Sequence, residues 1–332
     1  MELEIFSDET YILNNKYMGI GCLFVPVNYK YKLAQKLFNY RCLNEKSSKW
    51  NLSRDSCETF NNGYCKGIYH KNNDCEIHYA DFRKNMSISL KRISTSWINF
   101  LVYHNKNCLN DEKIYFNILY LDLEKLDKTF FGDDITGNNI YNRFYKTAIT
   151  GPLKNFFKSY NHIVVKEIFH DISDDKKAHD YFSWHTPYKL NKEKNITIKK
   201  EEISFIESDH KNYEINDENY VNSTFIQFID LILGCTNHAL FRESKDKERM
   251  VLYSHYYPLL KRLWEQPNKK YSSFNYFKSQ EVSIFPKDKI TYYTDLFGVK
   301  HRKNGEFHRN IKLIPPEVGI STPSLENFIK NE

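Results

Sequence analysis

Four acidic residues of this chain, Asp8, Glu76, Asp171 and Asp230, sit at the end of, or inside, an apolar run. Asp8 follows Leu3-Glu4-Ile5-Phe6-Ser7 and opens Asp8-Glu9-Thr10. Glu76 begins Glu76-Ile77-His78-Tyr79. Asp171 ends a β-branched stretch through Ile163-Val164-Val165 and Ile168-Phe169-His170. Asp230 is the most informative, because Phe225, Ile226, Phe228, Ile229, Leu231, Ile232 and Leu233 surround it in sequence. An unpaired carboxylate buried there costs several kcal/mol, so it must meet solvent, a hydrogen-bond donor or a cation. On a helix, Gln227 and Gly234 share its face. The missing side chain at 234 lets another backbone or a ligand come close. The plainer readings are that Asp8-Glu9 is a turn and that Gln227 and Asp230 line an exposed stripe.

The elements that must position these residues read as alternating strands and helices. Leu3–Ile5 and the residues around them form a strand ending at Asp8, and Asn14-Asn15 turns the chain into a second strand over 17–25. Because Asp8 and Glu9 are adjacent, a strand points them to opposite faces. Apolar spacing predicts helices over 31–43, 84–103, 140–160 and 224–240. Strands are expected over 113–121, ending at Asp122, over 162–169, and over 203–206 before Glu207-Ser208-Asp209. Acidic Ser173-Asp174-Asp175 reads as a helix start, and 192–200 as a charged loop. This order implies an α/β architecture on a mixed sheet, over residues 1–264, with an irregular polar insertion at about 44–74. The remainder, 265–332, reads as a basic extension, with strands expected at 282–285 and within 287–299. Its Lys300, Arg302, Lys303, Arg309 and Lys312, around an Asn304-Gly305 turn signal, suit a phosphate backbone or a solvated loop.

Composition narrows the classes. The 332 residues are 41% hydrophobic and 27% charged, with net charge +6, as in an ordinary soluble protein that tolerates a nucleic-acid partner. No apolar run approaches the roughly 18 residues that span a bilayer, and the acidic N-terminus does not read as a signal peptide. A cytoplasmic location is therefore expected. Seven scattered cysteines argue against a disulfide framework. Cys57, Cys65, His70 and Cys75 lack the paired spacing of a zinc knuckle and read as free thiols and a histidine in a loop.

Asp8-Glu9-Thr10 resembles the Asp-Glu-Ser/Thr signature of the domain of unknown function 3800 family, a large group of microbial proteins. Later segments fit in order. Glu76-Ile77-His78 resembles its Glu-x-Lys/His segment, and Phe169-His170-Asp171 its strand-borne Asp. Glu207-Ser208-Asp209 and then Gln227-Phe228-Ile229-Asp230-Leu231 resemble its Ser segment and Gln-Leu-Ala-Asp-Leu helix. The match spans roughly residues 1–240, with Phe228-Ile229 in place of Leu-Ala and the insertion before Glu76 as departures.

The resemblance implies a ribonuclease H-like mixed sheet flanked by helices and a probable nuclease holding two Mg²⁺ or Mn²⁺ ions. Asp8 would bridge the ions, with Glu76, Asp171 and Asp230 completing the shells; Glu58, Asp74 and Asp81 are fallbacks for Glu76. His78, Glu9, Asp122, Asp209 and Gln227 are the auxiliary candidates, and His170 is expected to face away from Asp171. DNA or RNA is the expected partner, and defence against mobile elements a setting suggested by family association alone. A catalytically degenerate nucleic-acid-binding scaffold and a metal-dependent phosphatase are the competing classes.

Overall fold

The opening hairpin forms because its turn residues accept a left-handed backbone. Leu13, Asn14 and Asn15 lie at φ 51°, 54° and 64°, and the Lys16 N–H closes the turn on the Leu13 carbonyl. The turn joins β1 (Glu2–Ile12) to β2 (Tyr17–Pro26) in antiparallel register, with Asp8 opposite Gly21. The computed structural model describes residues 1–41, 75–106, 108–126, 137–172, 174–177, 179–214, 217–242, 244–265, 279–286, 291–294, 300–303 and 312–316.

Helix α1 (Lys30–Arg41) follows the hairpin, then α2 (Ile88–His104) and β3 (Tyr115–Asp122), which pairs antiparallel with β2. Helix α3 (Gly137–Phe156) crosses to β4 (Ile163–Asp171), which lies parallel to β1 with His170 opposite Ser7. A single helical turn (Asp174–Lys177) leads to α4 (Phe182–Leu190) and the three-residue strands β5 (Ile196–Ile198) and β6 (Ser204–Ile206), both parallel to β4. The long α5 (Glu218–Phe241) and α6 (Lys247–Glu265) precede β7 (Gln280–Phe285), which pairs parallel with β3. Strand order is β5-β4-β1-β2-β3-β7, with β6 also on β4, giving a seven-stranded mixed sheet. An antiparallel meander continued by a strand parallel to β1 is the ribonuclease H-like arrangement.

Each face of the sheet has its own apolar layer. Phe6, Leu23, Phe116, Ile118 and Phe169 pack under α1, α2, α5 and α6. Ile5, Ile20, Phe24, Leu121 and Ile168 pack under α3 and α4. Strand β2 is buried along its whole length, as a strand covered on both sides must be. Helix α5 is long and apolar enough to cross a membrane, contrary to the expectation of no such run, but 89% of that window is buried under other elements. Its apolar surface serves as a core.

Two expectations need correction. The expected strand at 282–285 is present as β7, but it belongs to the sheet and not to a separate extension. Val282 and Ile284 of β7 join the core along the outer edge of β3, which would otherwise present unpaired backbone groups. Farther on, Leu313 is buried, and the Ile314 N–H bonds the Ala239 carbonyl at 3.0 Å. The region beginning at residue 265 is thus partly built into the domain. The charged loop at 192–200 contains β5, because Ile196 and Ile198 cover the edge of β4. In the extension, β8 (Thr291–Thr294) and β9 (Lys300–Lys303) form a separate antiparallel hairpin. Lys300, Arg302 and Lys303 lie on β9, and Lys312 is exposed. Arg309 and the Asn304-Gly305 turn lie outside the described residues, as do Cys57, Cys65, His70, Glu58 and Asp74. Cys75 is described as a free thiol.

Candidate active site: a carboxylate cavity

Strands β1 and β4 run side by side, which sets Asp8 near Asp171, the last residue of β4. Contrary to expectation, β1 does not end at Asp8 but stays paired with β2 to Ile12. Helix α5 packs over both strands and brings Asp230 from above. The three carboxylates line one cavity of about 870 Å³, together with Glu9, Thr10, His78, Arg83, Asn237 and Arg249. The chain therefore collects three acids from three elements that are far apart in sequence.

The electrostatics separate Asp8 from its neighbour. Burial, then the charges of Asp230, Asp171 and Glu9, raise the Asp8 carboxyl well above the usual range, although the Glu9 N–H donates to its Oδ1 at 2.8 Å. Burial pushes Asp171 up to about 6, with Asp230 and Glu9 adding and the Ile172 N–H and His170 opposing. Asp230 is also raised by burial, with Glu76 and Asp81 adding, against His78 and the Tyr79 N–H. Glu9 borders the cavity, but its carboxylate turns to His170 on the other face of the sheet. Burial would raise it, but His170 (3.1 Å), Lys176 and Tyr141 outweigh that and lower it. His170 lies fully buried on that face, with Nε2 2.6 Å from the Tyr141 hydroxyl and Nδ1 2.6 Å from the Asp171 carbonyl.

Helix α5 also builds the second wall. The Tyr79 N–H donates to Asp230 Oδ2 at 2.6 Å, and the Ile77 N–H donates to Gln227 Oε1 at 3.0 Å. Two alternate N–H groups of the extended 76–79 segment thus dock on two side chains one helical turn apart. Gly234 completes the seat, since a Cβ there would come within 2.0 Å of Tyr79 Cγ. The open position beside Asp230 therefore holds the ring of Tyr79. Gln227 is fully buried and bracketed: Arg41 Nη2 donates to its Oε1 at 2.7 Å, and its Nε2 donates to the Ser208 carbonyl at 2.6 Å.

The structure divides the remaining candidates. His78 lines the cavity, and its Nδ1 accepts the Ala80 N–H at 3.2 Å, capping the turn at Tyr79–Asp81. Glu76 lies close enough to raise Asp230 but is not on the cavity wall; its Oε1 accepts the Ser208 hydroxyl at 2.5 Å. Asp122 is a turn cap, paired with Lys125 at 2.9 Å and accepting the Lys125 N–H. Asp209 caps the turn at His210–Asn212 through the Lys211 N–H. Neither borders the cavity. Ser208 lies in the Glu207-Ser208-Asp209 segment that the sequence marks. Nothing in the sequence marks Asn237, Arg83 or Arg249, and the two arginines follow no periodicity that would single them out.

The donor set fits a hard divalent cation, which takes oxygen ligands. Asp171 Oδ1 is buried with no hydrogen-bond partner among the described residues, and burial, with neighbouring carboxylates adding, raises all three acids. Asp8, Asp171 and Asp230 would hold the ion. Among the described residues, no three His, Cys, Asp or Glu side chains already stand close enough together to form a metal cage. Mutual repulsion of like charges would hold such a set apart when no cation is bound. Fold and cavity thus define an α/β protein of ribonuclease H-like topology with an acidic cleft beside β1 and the end of β4. No protein-family model matches the chain, and no curated protein matches it significantly.

Proposed function

We propose that this protein is a divalent-metal-dependent nuclease that hydrolyses phosphodiester bonds of DNA or RNA in the cytoplasm. The observation that carries the reading is the convergence of Asp8, Asp171 and Asp230 on one cavity, with all three carboxyl pKa values raised. The resemblance of the Asp8, Asp171 and Asp230 segments to the domain of unknown function 3800 family supports it, as does the net charge of +6.

Bound Mg²⁺ or Mn²⁺ would supply Lewis acidity and an activated water for in-line displacement at phosphorus. The chain's own residues do the positioning. Asp8 is fixed by backbone pairing with β2, Asp171 by pairing with β6, and Asp230 by its bond to the Tyr79 N–H. Glu9, held ionised by His170 on the opposite face, adds negative field that keeps Asp8 and Asp171 basic toward a cation. His78 stands at the wall within reach of a phosphate oxygen or water that enters the cavity.

The test is cleavage of labelled DNA and RNA oligonucleotides with Mg²⁺ or Mn²⁺. Asp8→Asn and Asp230→Asn, with unchanged circular dichroism, are expected to lower the rate at least ~1,000-fold, the scale of losing a residue that acts only as part of a catalytic unit. Both variants cutting at the wild-type rate would sink the assignment. A second reading, a nucleic-acid-binding scaffold with a degenerate site, is favoured by one observation: Glu76 is taken up by Ser208 and does not border the cavity. No calorimetric signal with millimolar Mg²⁺, alongside salt-sensitive oligonucleotide binding, would select it.

A further inference from the structure

We infer that Arg83 and Arg249 form a phosphate-binding subsite on the rim of the carboxylate cavity, which takes a backbone phosphate of a nucleic-acid strand adjoining the cleaved one. The subsite itself stands on the arginine geometry; only the source of the phosphate rests on the nuclease reading.

Both arginines line the same cavity as Asp8, Asp171 and Asp230. They come from different elements, Arg83 just beyond the Tyr79–Asp81 turn and Arg249 from the first turn of α6. Both nevertheless donate to one acceptor, the Ala80 carbonyl, from Arg83 Nε at 3.1 Å and Arg249 Nη2 at 2.6 Å. A guanidinium carries five N–H donors, so one carbonyl leaves most of them uncommitted. Among the described residues, neither arginine is paired with a carboxylate, and Arg249 Nε is buried with no hydrogen-bond partner. The nearby Asp246 accepts from Ser244, and Glu248 pairs with Lys91. Two like charges drawn to one oxygen repel each other unless an anion lies between them. Burial first, then Arg249 and Arg242, lower His238 to about 4, against the opposing charge of Asp246.

The site is also built to hold its shape. The Arg249 guanidinium lies 5.0 Å from the Tyr79 ring centroid, the ring rests on Gly234, and the Tyr79 N–H is fixed by Asp230. One stack therefore runs from the helix that carries Asp230 out to the arginine. Planar guanidinium forks match phosphate oxygens bidentately. An anion would be repelled from the acidic floor and held at this rim. A substrate that satisfies both floor and rim has at least two phosphates, which an oligonucleotide has and a simple phosphomonoester lacks.

The experiment measures binding of a fluorescent single-stranded oligonucleotide to the full chain in chelator, across a salt series. Inorganic phosphate serves as competitor. Arg83→Gln, on an exposed side chain, leaves the fold intact; Arg249→Gln and Arg249→Lys are checked by thermal melting. Each neutral substitution is expected to weaken binding about 10-fold, as for a lost hydrogen bond to a charged group. It should also reduce the slope of log K against log salt by about one. Arg249→Lys should keep the slope and lose affinity, and inorganic phosphate should compete with wild type but not with the double glutamine variant. Unchanged affinity and slope in Arg83→Gln and the double variant would overturn the subsite even if the wild type cleaves. Binding that responds as expected in a protein that never cleaves would leave the subsite standing and remove the nuclease reading.

Discussion

Crowded carboxylates make the metal-free protein sensitive to pH in a defined direction. Burial and its acidic neighbours raise Asp171 from the ordinary 3.8 to about 6. Between those values the native protein keeps a proton that the unfolded chain has released, so stability falls as pH rises. The stabilisation is full below about pH 4 and gone above about pH 6. At 1.36 kcal/mol for each pH unit, the loss from this residue is about 3 kcal/mol, or about 5 °C in melting temperature for a chain of this size. Asp8 and Asp230 are displaced the same way and titrate with it as a set. The assay is urea unfolding of wild type and Asp171→Asn in chelator from pH 4 to 7.5. Asparagine mimics the protonated acid, so the variant should gain about 3 kcal/mol relative to wild type across that interval. Adding Mg²⁺ or Mn²⁺ at about 100 times its dissociation constant should return about 2.7 kcal/mol to the wild type at pH 7.5. A stability difference between wild type and variant that does not change with pH would refute the electrostatic reasoning.

Two further substitutions test the wall that α5 builds. Gly234→Ala places a methyl 2.0 Å from Tyr79 Cγ. The displaced ring should cost about 1–3 kcal/mol despite alanine's better helix propensity, read by urea unfolding; a variant as stable as wild type would show that the ring is not seated there. Gln227→Leu leaves the Arg41 guanidinium, the Ile77 N–H and the Ser208 carbonyl without their shared partner. A loss of about 3 kcal/mol is expected, with faster amide exchange at Ile77 as the local readout; unchanged exchange would argue against the bracket.

The central fold was legible where each residue had one task. Alternation and β-branching marked β1 to β4, and unbroken apolar character marked α5 as a core helix. Asp230 stood out because a carboxylate amid Ile229, Leu231 and Ile232 needed a partner, and the structure supplies the Tyr79 N–H and the cavity. Strand β5 was hidden because three residues carry too little pattern beside so many lysines. Asp122 and Asp209 looked like Asp171 in sequence, since a strand-end acid reads the same whether it caps a turn or faces a cleft. What separates them is a neighbouring helix, which no local window contains. Arg83 and Arg249 were illegible for the same reason: they meet only through the Ala80 carbonyl, across 166 positions of chain.

Arg41 closes α1, and its side chain does more than bind Gln227. Its Nη1 also donates to the Cys75 carbonyl at 2.7 Å. The side chain that brackets Gln227 thus also ties the end of α1 to the start of the segment that carries Tyr79 to Asp230. A neutral side chain at 41 would release the Cys75 carbonyl and Gln227 Oε1 together, loosening the cavity wall from a residue that does not line it.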